Sequence, residues 1–114
     1  MTPTRHHWTP AEAERRERIR AQGCIYCRLA QARGLQPTGM AVEIHHVTDC
    51  GRQIGNGAIL PACSWHHRAI CREGMTSSAM ANLFGPSLAK GSKPFRAFFG
   101  SDADLLAITD RRAA

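Results

Sequence analysis

Aromatic side chains are scarce in this chain, and so are the long apolar runs of membrane proteins. Phe, Trp and Tyr together make up 6% of its 114 residues. A domain of this size buries a modest core, so a bound metal ion would add useful stability to the fold. No run has the length that spans a bilayer, and the polar N-terminus lacks the apolar segment of a signal peptide. We therefore expect a single domain in a reducing, cytoplasmic compartment, without a membrane partner.

Lysine is also scarce, because thirteen of the fifteen basic side chains are arginine, and the formal net charge is +6. A guanidinium group pairs with phosphate through a planar fork, so this bias indicates nucleic acid as a partner. An ordinary basic protein would carry the same net charge, and that alternative stays open at this point.

Five cysteines are an odd number for disulfides, and four of them lie at spacings typical of metal ligands or of a helix. Cys24 and Cys27 form a C-x-x-C pair, and Cys63 and His66 repeat the same spacing. In a reducing compartment, this pattern predicts a structural Zn²⁺ held by three thiolates and one imidazole. A redox C-x-x-C would be expected in a thioredoxin-like βαβ chain, and that pattern is absent.

The N-terminal part predicts one helix with clear boundaries. Thr9, Pro10 and Glu12 form a capping box with proline in the first turn, and Gly23 suits the helix end. Arginines and glutamates alternate along this segment. The alternation fits a solvated helix with i,i+4 ion pairs, and it also fits a basic face that lies along phosphates.

The middle of the chain predicts a β-hairpin followed by a helix. Residues 40–47 predict a strand that ends in a histidine pair, and residues 58–60 predict a second strand closed by Pro61. The loop over residues 49–57 is long and rich in glycine. Ser64 predicts the cap of a helix over residues 65–72, on which His67 and Cys71 share a face. His66 is turned about 100° from His67 on such a helix, so the two can face different metals. Further helices are predicted from residues 76, 92 and 101, and their phenylalanines and leucines are assigned to the core: Phe84, Phe95, Phe98, Phe99, Leu105 and Leu106.

His45-His46, Asn56 and His67, in this order on a hairpin and a helix, resemble the HNH, or ββα-metal, nuclease superfamily. The two zinc half-sites resemble its zinc-stapled branch. Within it, the chain is most similar to the Ref-type family of phage recombination-enhancement nucleases, which act on DNA with the RecA recombinase. The resemblance rests on residues 23–27, 44–47, 51–52, 60–67, 95–100 and 104–106.

The resemblance implies an α+β fold with a small, treble-clef-like ββα-metal core. It places an N-terminal tail over residues 1–8 and a single HNH nuclease domain over residues 9–114. Within that domain, a basic helix covers residues 9–22, the zinc knuckle and ββα core cover residues 24–72, and further helices cover residues 76–113. A bacterial or phage origin follows from the same resemblance.

The resemblance also implies a metal-dependent endonuclease that hydrolyses DNA phosphodiester bonds, with a RecA-type filament as a candidate partner. His45 and His67 would hold a catalytic Mg²⁺, Mn²⁺ or Zn²⁺, with Cys71 as a third ligand. His46 would be the general base, and Asn56 would orient the base or the loop. Glu43, on the strand face of His45, is either a partner of a metal ligand or a solvated residue. The residues expected to contact phosphates without reading sequence are Arg52, Arg68 and Arg72.

Other classes of zinc protein fit less well. A non-catalytic zinc module that binds DNA or protein would explain the four zinc ligands but not the three remaining histidines of the middle segment. A zinc deaminase would require H-x-E followed by P-C-x-x-C, and neither pattern is present. A C₂H₂ finger fails on the spacing of its histidines. The sequence therefore predicts a nuclease.

Overall fold

Helix α1, Pro10–Ala21, begins and ends where the sequence predicts. The computed structural model describes residues 7–114, so most of the predicted tail over residues 1–8 lies outside the described residues. Thr9 Oγ1 accepts a hydrogen bond from the Glu12 N–H at 3.1 Å, and the Glu12 carboxylate accepts one from the Thr9 N–H at 2.9 Å. After the helix the chain turns at Gly23, whose φ of +82° favours glycine.

The hairpin is present, and its second strand is longer than predicted. Strand β1, Val42–His46, pairs antiparallel with strand β4, Ile59–Cys63. Pro61 was expected to close the second strand, but it lies in the middle of β4, opposite Ile44. A proline is tolerated there because β4 has a partner strand on one side only. The connecting loop itself contains a short antiparallel pair, β2, Thr48–Asp49, and β3, Arg52–Gln53.

Two short helices lie on either side of the hairpin in the chain, and the second differs from the prediction. Helix α2, Ile25–Ala32, begins inside the C-x-x-C pair, because the Sγ atom of Cys24 caps it. Helix α3 covers only Ser64–Arg68 and is capped by Cys63 rather than by Ser64. Ala69 adopts a left-handed conformation, with φ of +59°, which ends α3. The predicted helix to residue 72 is therefore wrong, and Cys71 does not share a helix face with His67.

Three helices complete the chain: α4, Ser77–Phe84; α5, Ser92–Phe99; and α6, Asp102–Ala113. Thr76 and Ser101 cap α4 and α6 as their sequences indicate, and an unpredicted 3₁₀ turn, Leu88–Lys90, precedes α5. Of the predicted core residues, four are buried and the other two, Phe98 and Leu106, pack at the edge of the core. None of the helices within residues 7–114 combines the length and apolar character that crossing a bilayer requires.

The hairpin lies between two groups of buried side chains, and this confirms an α+β fold. One group contains the zinc-ligand candidates, Trp65 and the phenylalanines. The smaller group consists of Ile19, Ile59 and Ala113. Because side chains alternate along a strand, β1 places His45 on the face next to α3 and His46 on the face next to α1.

Candidate functional site

The four predicted zinc ligands come together in one buried cluster. The donor atoms of Cys24, Cys27, Cys63 and His66 all lie within 4.8 Å of one another, and no other such group of three or more donors occurs within residues 7–114. The Sγ atoms of Cys27 and Cys63 are 3.8 Å apart, and His66 Nδ1 is 3.6 Å from Cys24 Sγ. Tetrahedral zinc, with bonds of about 2.3 Å to sulfur and about 2.1 Å to nitrogen, gives ligand separations of about 3.8 Å and about 3.6 Å. The cluster therefore has the dimensions of a zinc site and can hold a structural Zn²⁺.

The surroundings of the cluster also suit a metal. His66 Nε2 donates to the Phe84 carbonyl oxygen at 2.8 Å, which leaves the lone pair on Nδ1, the atom that faces the three sulfurs. The backbone N–H of Thr38 donates to Cys27 Sγ at 3.4 Å. Hydrogen bonds from Cys24 and Cys63, together with those from Thr38, hold the pKa of Cys27 far below its usual range, whereas burial and the neighbouring sulfurs raise the pKa of Cys24. Without a metal the cluster therefore favours thiolate at Cys27, and thiolate is the form that binds zinc.

A second pair of histidines, His45 and His67, lies on the α3 face of β1. Their ring centroids are 5.0 Å apart. Burial, followed by the charge of His67, lowers the pKa of His45 to about 4, so the His45 ring is neutral at neutral pH. A neutral imidazole offers a lone pair to a metal.

Glu43 fixes the orientation of His67. Its Oε1 atom accepts a hydrogen bond from His67 Nδ1 at 2.9 Å, which leaves the lone pair of the neutral ring on Nε2. Arg68 holds the same carboxylate through Nε at 2.9 Å and Nη2 at 2.5 Å. Hydrogen bonds from Arg68, and then from His67, keep the pKa of Glu43 below its usual range. Glu43 is therefore a charged partner of His67 and Arg68 rather than a solvated strand residue, while its part beside a metal ligand stays a prediction.

His46 lies on the other face of β1, next to Asn56. The two side chains approach to 3.3 Å between His46 Nε2 and Asn56 Oδ1. Asn56 Nδ2 donates to the His7 carbonyl oxygen at 3.0 Å and to Glu12 Oε1 at 3.4 Å. The ring of Trp8 packs on His46 with 5.4 Å between centroids.

Sequence reasoning missed the part that Trp8 and Glu12 play here. Trp8 was assigned to the tail, and Glu12 was interpreted only as a capping residue. A signal was present, since a large apolar residue directly before an N-cap commonly packs across the first helical turn.

A family model described as recombination enhancement, RecA-dependent nuclease matches residues 9–114. The chain belongs to this family. No curated protein sequence gives a significant match. The family match confirms the Ref-type resemblance and gives the chain a nuclease role in recombination, and the matched range includes His45, His46, His67 and the Cys₃His cluster.

Not every residue predicted as a metal ligand joins the histidines in a compact group of donors among residues 7–114. Cys71 follows the end of α3, and its Sγ atom is 3.7 Å from Ser77 Oγ. It forms no compact group of metal donors with His45 and His67 among residues 7–114. The role of Cys71 as a third metal ligand stays a prediction. The helix that would have placed it beside His67 ends at Arg68.

The arginines of this family member fall into two sets. Those of α1 have carboxylate partners, which favours the solvated-helix interpretation: Arg15 with Asp110, Arg16 and Arg20 with Glu17, and Arg18 with Glu14. Arg52, by contrast, is exposed on β3, and Arg72 is exposed with its guanidinium 5.8 Å from the Phe84 ring. Neither has a carboxylate partner within residues 7–114.

Proposed function

We propose that this chain is a metal-dependent HNH endonuclease that hydrolyses DNA phosphodiester bonds in recombination. The observation that carries the proposal is the arrangement at the end of β1. His45 lies beside His67 on one face, and His46 lies beside Asn56 on the other. This arrangement occurs on a hairpin and helix in a chain of a nuclease family.

His45 and His67 are the residues that would hold the catalytic Mg²⁺, Mn²⁺ or Zn²⁺. Two protein ligands leave open positions for a phosphate oxygen and for water, as a catalytic site requires. When bound, the ion would neutralise charge that develops on the phosphate and on the leaving oxygen. Glu43 keeps His67 in the required tautomer, and Cys71 would join as a third ligand only after its sulfur leaves Ser77.

His46 would take a proton from the attacking water. The Asn56 carbonyl accepts a hydrogen bond from His46 Nε2, so the lone pair that acts as the base is on Nδ1. Imidazole is the side chain whose ordinary pKa lies nearest neutrality, which suits a general base at neutral pH.

DNA would be held through its phosphates rather than its bases. Arg52 and Arg72 are exposed, so their guanidinium groups can contact phosphates. Arg68, the third predicted contact, already binds Glu43 and would have to share its guanidinium. RecA, which the family description names, is the proposed protein partner in the form of a filament on DNA, and the cytoplasm is the proposed location.

The test is a plasmid-nicking assay with Mg²⁺ or Mn²⁺, run with and without a RecA filament on the DNA. His46→Ala should lose cleavage by about 10²-fold or more, the usual worth of a general base. This variant should keep metal binding at His45 and His67. His45→Ala should lose both metal binding and cleavage. Glu14→Ala, on the exposed face of α1, is the matched control.

Two outcomes would contradict the proposal. Full cleavage by His46→Ala would remove the mechanism. Binding of DNA without cleavage under every metal and filament condition would support the alternative, a non-catalytic zinc module that binds DNA or protein.

A further inference from the structure

We propose that Glu12 is a positioning residue for His46 and acts through Asn56. The inference rests on the proposed function, which gives His46 the proton transfer. A chain of two contacts joins the residues: Asn56 Oδ1 is 3.3 Å from His46 Nε2, and Asn56 Nδ2 is 3.4 Å from Glu12 Oε1. Glu12 touches no reacting atom, so its effect would be to fix the orientation of the amide.

The amide of Asn56 can satisfy its surroundings in one orientation only. Its Nδ2 group lies between two acceptors, the His7 carbonyl oxygen at 3.0 Å and the Glu12 carboxylate. A reversed amide would turn its oxygen toward both acceptors and lose both hydrogen bonds. The oxygen of Asn56 therefore faces His46 and accepts from Nε2–H. The carboxylate of Glu12 thereby selects the tautomer of His46 that carries its lone pair on Nδ1.

Glu12 is itself held in place and kept charged. It lies in the first turn of α1, where its Oε1 atom also accepts the Thr9 N–H at 2.9 Å. Hydrogen bonds from Thr9, and then from Asn56, lower the pKa of Glu12. Glu12 therefore adds a charged acceptor at 3.4 Å to the neutral His7 carbonyl oxygen at 3.0 Å, and both acceptors hold the amide in the same orientation.

Packing on His46 supports the same arrangement. The Trp8 ring lies against the His46 ring at 5.4 Å, and the guanidinium of Arg16 lies 4.7 Å from the Trp8 ring centroid. Trp8 also packs against the smaller buried group around Ile19. The start of α1 is therefore part of the candidate site, and Glu12 links helix capping to the orientation of the base.

The experiment compares Glu12→Ala, Glu12→Gln and Thr9→Ala. Thr9→Ala removes the other half of the capping box but leaves Glu12 next to Asn56, so it is the control for helix destabilisation. Both alanine variants should lower Tm by a similar amount. Only Glu12→Ala should lower kcat, by about 10-fold. This is less than the roughly 10²-fold that misplacing a reacting group can cost. KM and Mn²⁺ affinity should stay unchanged, and Glu12→Gln, which keeps an oxygen for Asn56, should restore most of the rate.

A second readout does not depend on cleavage. Nitrogen NMR of the imidazoles in the zinc-loaded protein, assigned through His46→Ala, reports which ring nitrogen of neutral His46 carries the proton. The wild-type protein and Thr9→Ala should show Nε2–H, and Glu12→Ala should show a mixture of tautomers. The same tautomer in all three proteins, or an equal loss of kcat in Thr9→Ala, would overturn the inference. If Glu12→Ala changes the tautomer as expected but the wild-type protein cleaves no DNA, the positioning role of Glu12 stands and the proposed function is overturned.

Discussion

At the scale of single residues, the neighbours of each histidine determine what its ring can do. His67 has a charged partner in Glu43, His45 is buried next to His67, and His46 faces the neutral amide of Asn56. His45 and His46 are adjacent in the sequence. The strand separates them, because adjacent side chains point to opposite faces.

The low pKa of His45 predicts a dependence of stability on pH. The folded protein holds this ring neutral down to about pH 4, whereas an unfolded chain binds the proton near pH 6.5. The unfolded state therefore binds more protons between these two values, and stability falls as the pH drops through this window. The loss reaches at most about 3.5 kcal/mol, because one pKa unit corresponds to about 1.4 kcal/mol.

The measurement compares urea unfolding of the wild-type protein with that of His45→Gln, from pH 7 to pH 4, without added Mg²⁺ or Mn²⁺. Acid effects on the zinc cluster occur in both proteins and cancel in the difference. The unfolding free energy of the wild-type protein should decrease relative to that of His45→Gln as the pH falls. A difference that is constant with pH would show that burial does not suppress protonation of His45.

At the scale of helices and strands, helix caps and the two matching metal half-sites were predictable, whereas distant contacts without such a motif were not. Thr9, Thr76 and Ser101 cap helices through residues three positions away, so their sequences were sufficient. The end of α3 depends on a left-handed alanine at position 69, for which no glycine gives a signal. The pairing of Asn56 with Glu12 joins residues 44 positions apart, and no periodic pattern reports such a contact.

The zinc cluster joins two segments that are distant in the sequence. Loss of one ligand should therefore remove both zinc binding and cooperative unfolding. Cys24 and Cys27 belong to the start of α2, while Cys63 and His66 belong to the junction of β4 and α3. Cys24→Ser should lose bound zinc and the cooperative thermal transition, because binding energy at such a site is folding energy. Metal analysis and thermal melts measure both. Cys50→Ser is the matched control, since Cys50 is exposed and should retain zinc and Tm. A Cys24→Ser protein that keeps its zinc would contradict the ligand assignment.

At the scale of the whole molecule, fewer arginines are available to meet phosphates than the total of thirteen suggests. Ion pairs engage the arginines of α1 as well as Arg68 and Arg96. Arg28 and Arg33 donate to backbone carbonyl oxygens. Exposed arginines without carboxylate partners in the described chain, such as Arg52 and Arg72, are therefore the ones best suited to meet phosphates.

This distribution predicts which arginines control the salt dependence of DNA binding. Each phosphate contact that is lost should reduce the slope of log affinity against log salt by about 0.9, because fewer counterions are released. Arg52→Ala and Arg72→Ala should each show this decrease on duplexes of unrelated sequence, measured by fluorescence anisotropy without a catalytic metal. Arg18→Ala should leave the slope unchanged, since its guanidinium is already paired with Glu14. If Arg18→Ala changes the slope and the other two do not, the DNA-binding surface lies on α1. The basic-face interpretation of that helix would then replace the solvated one.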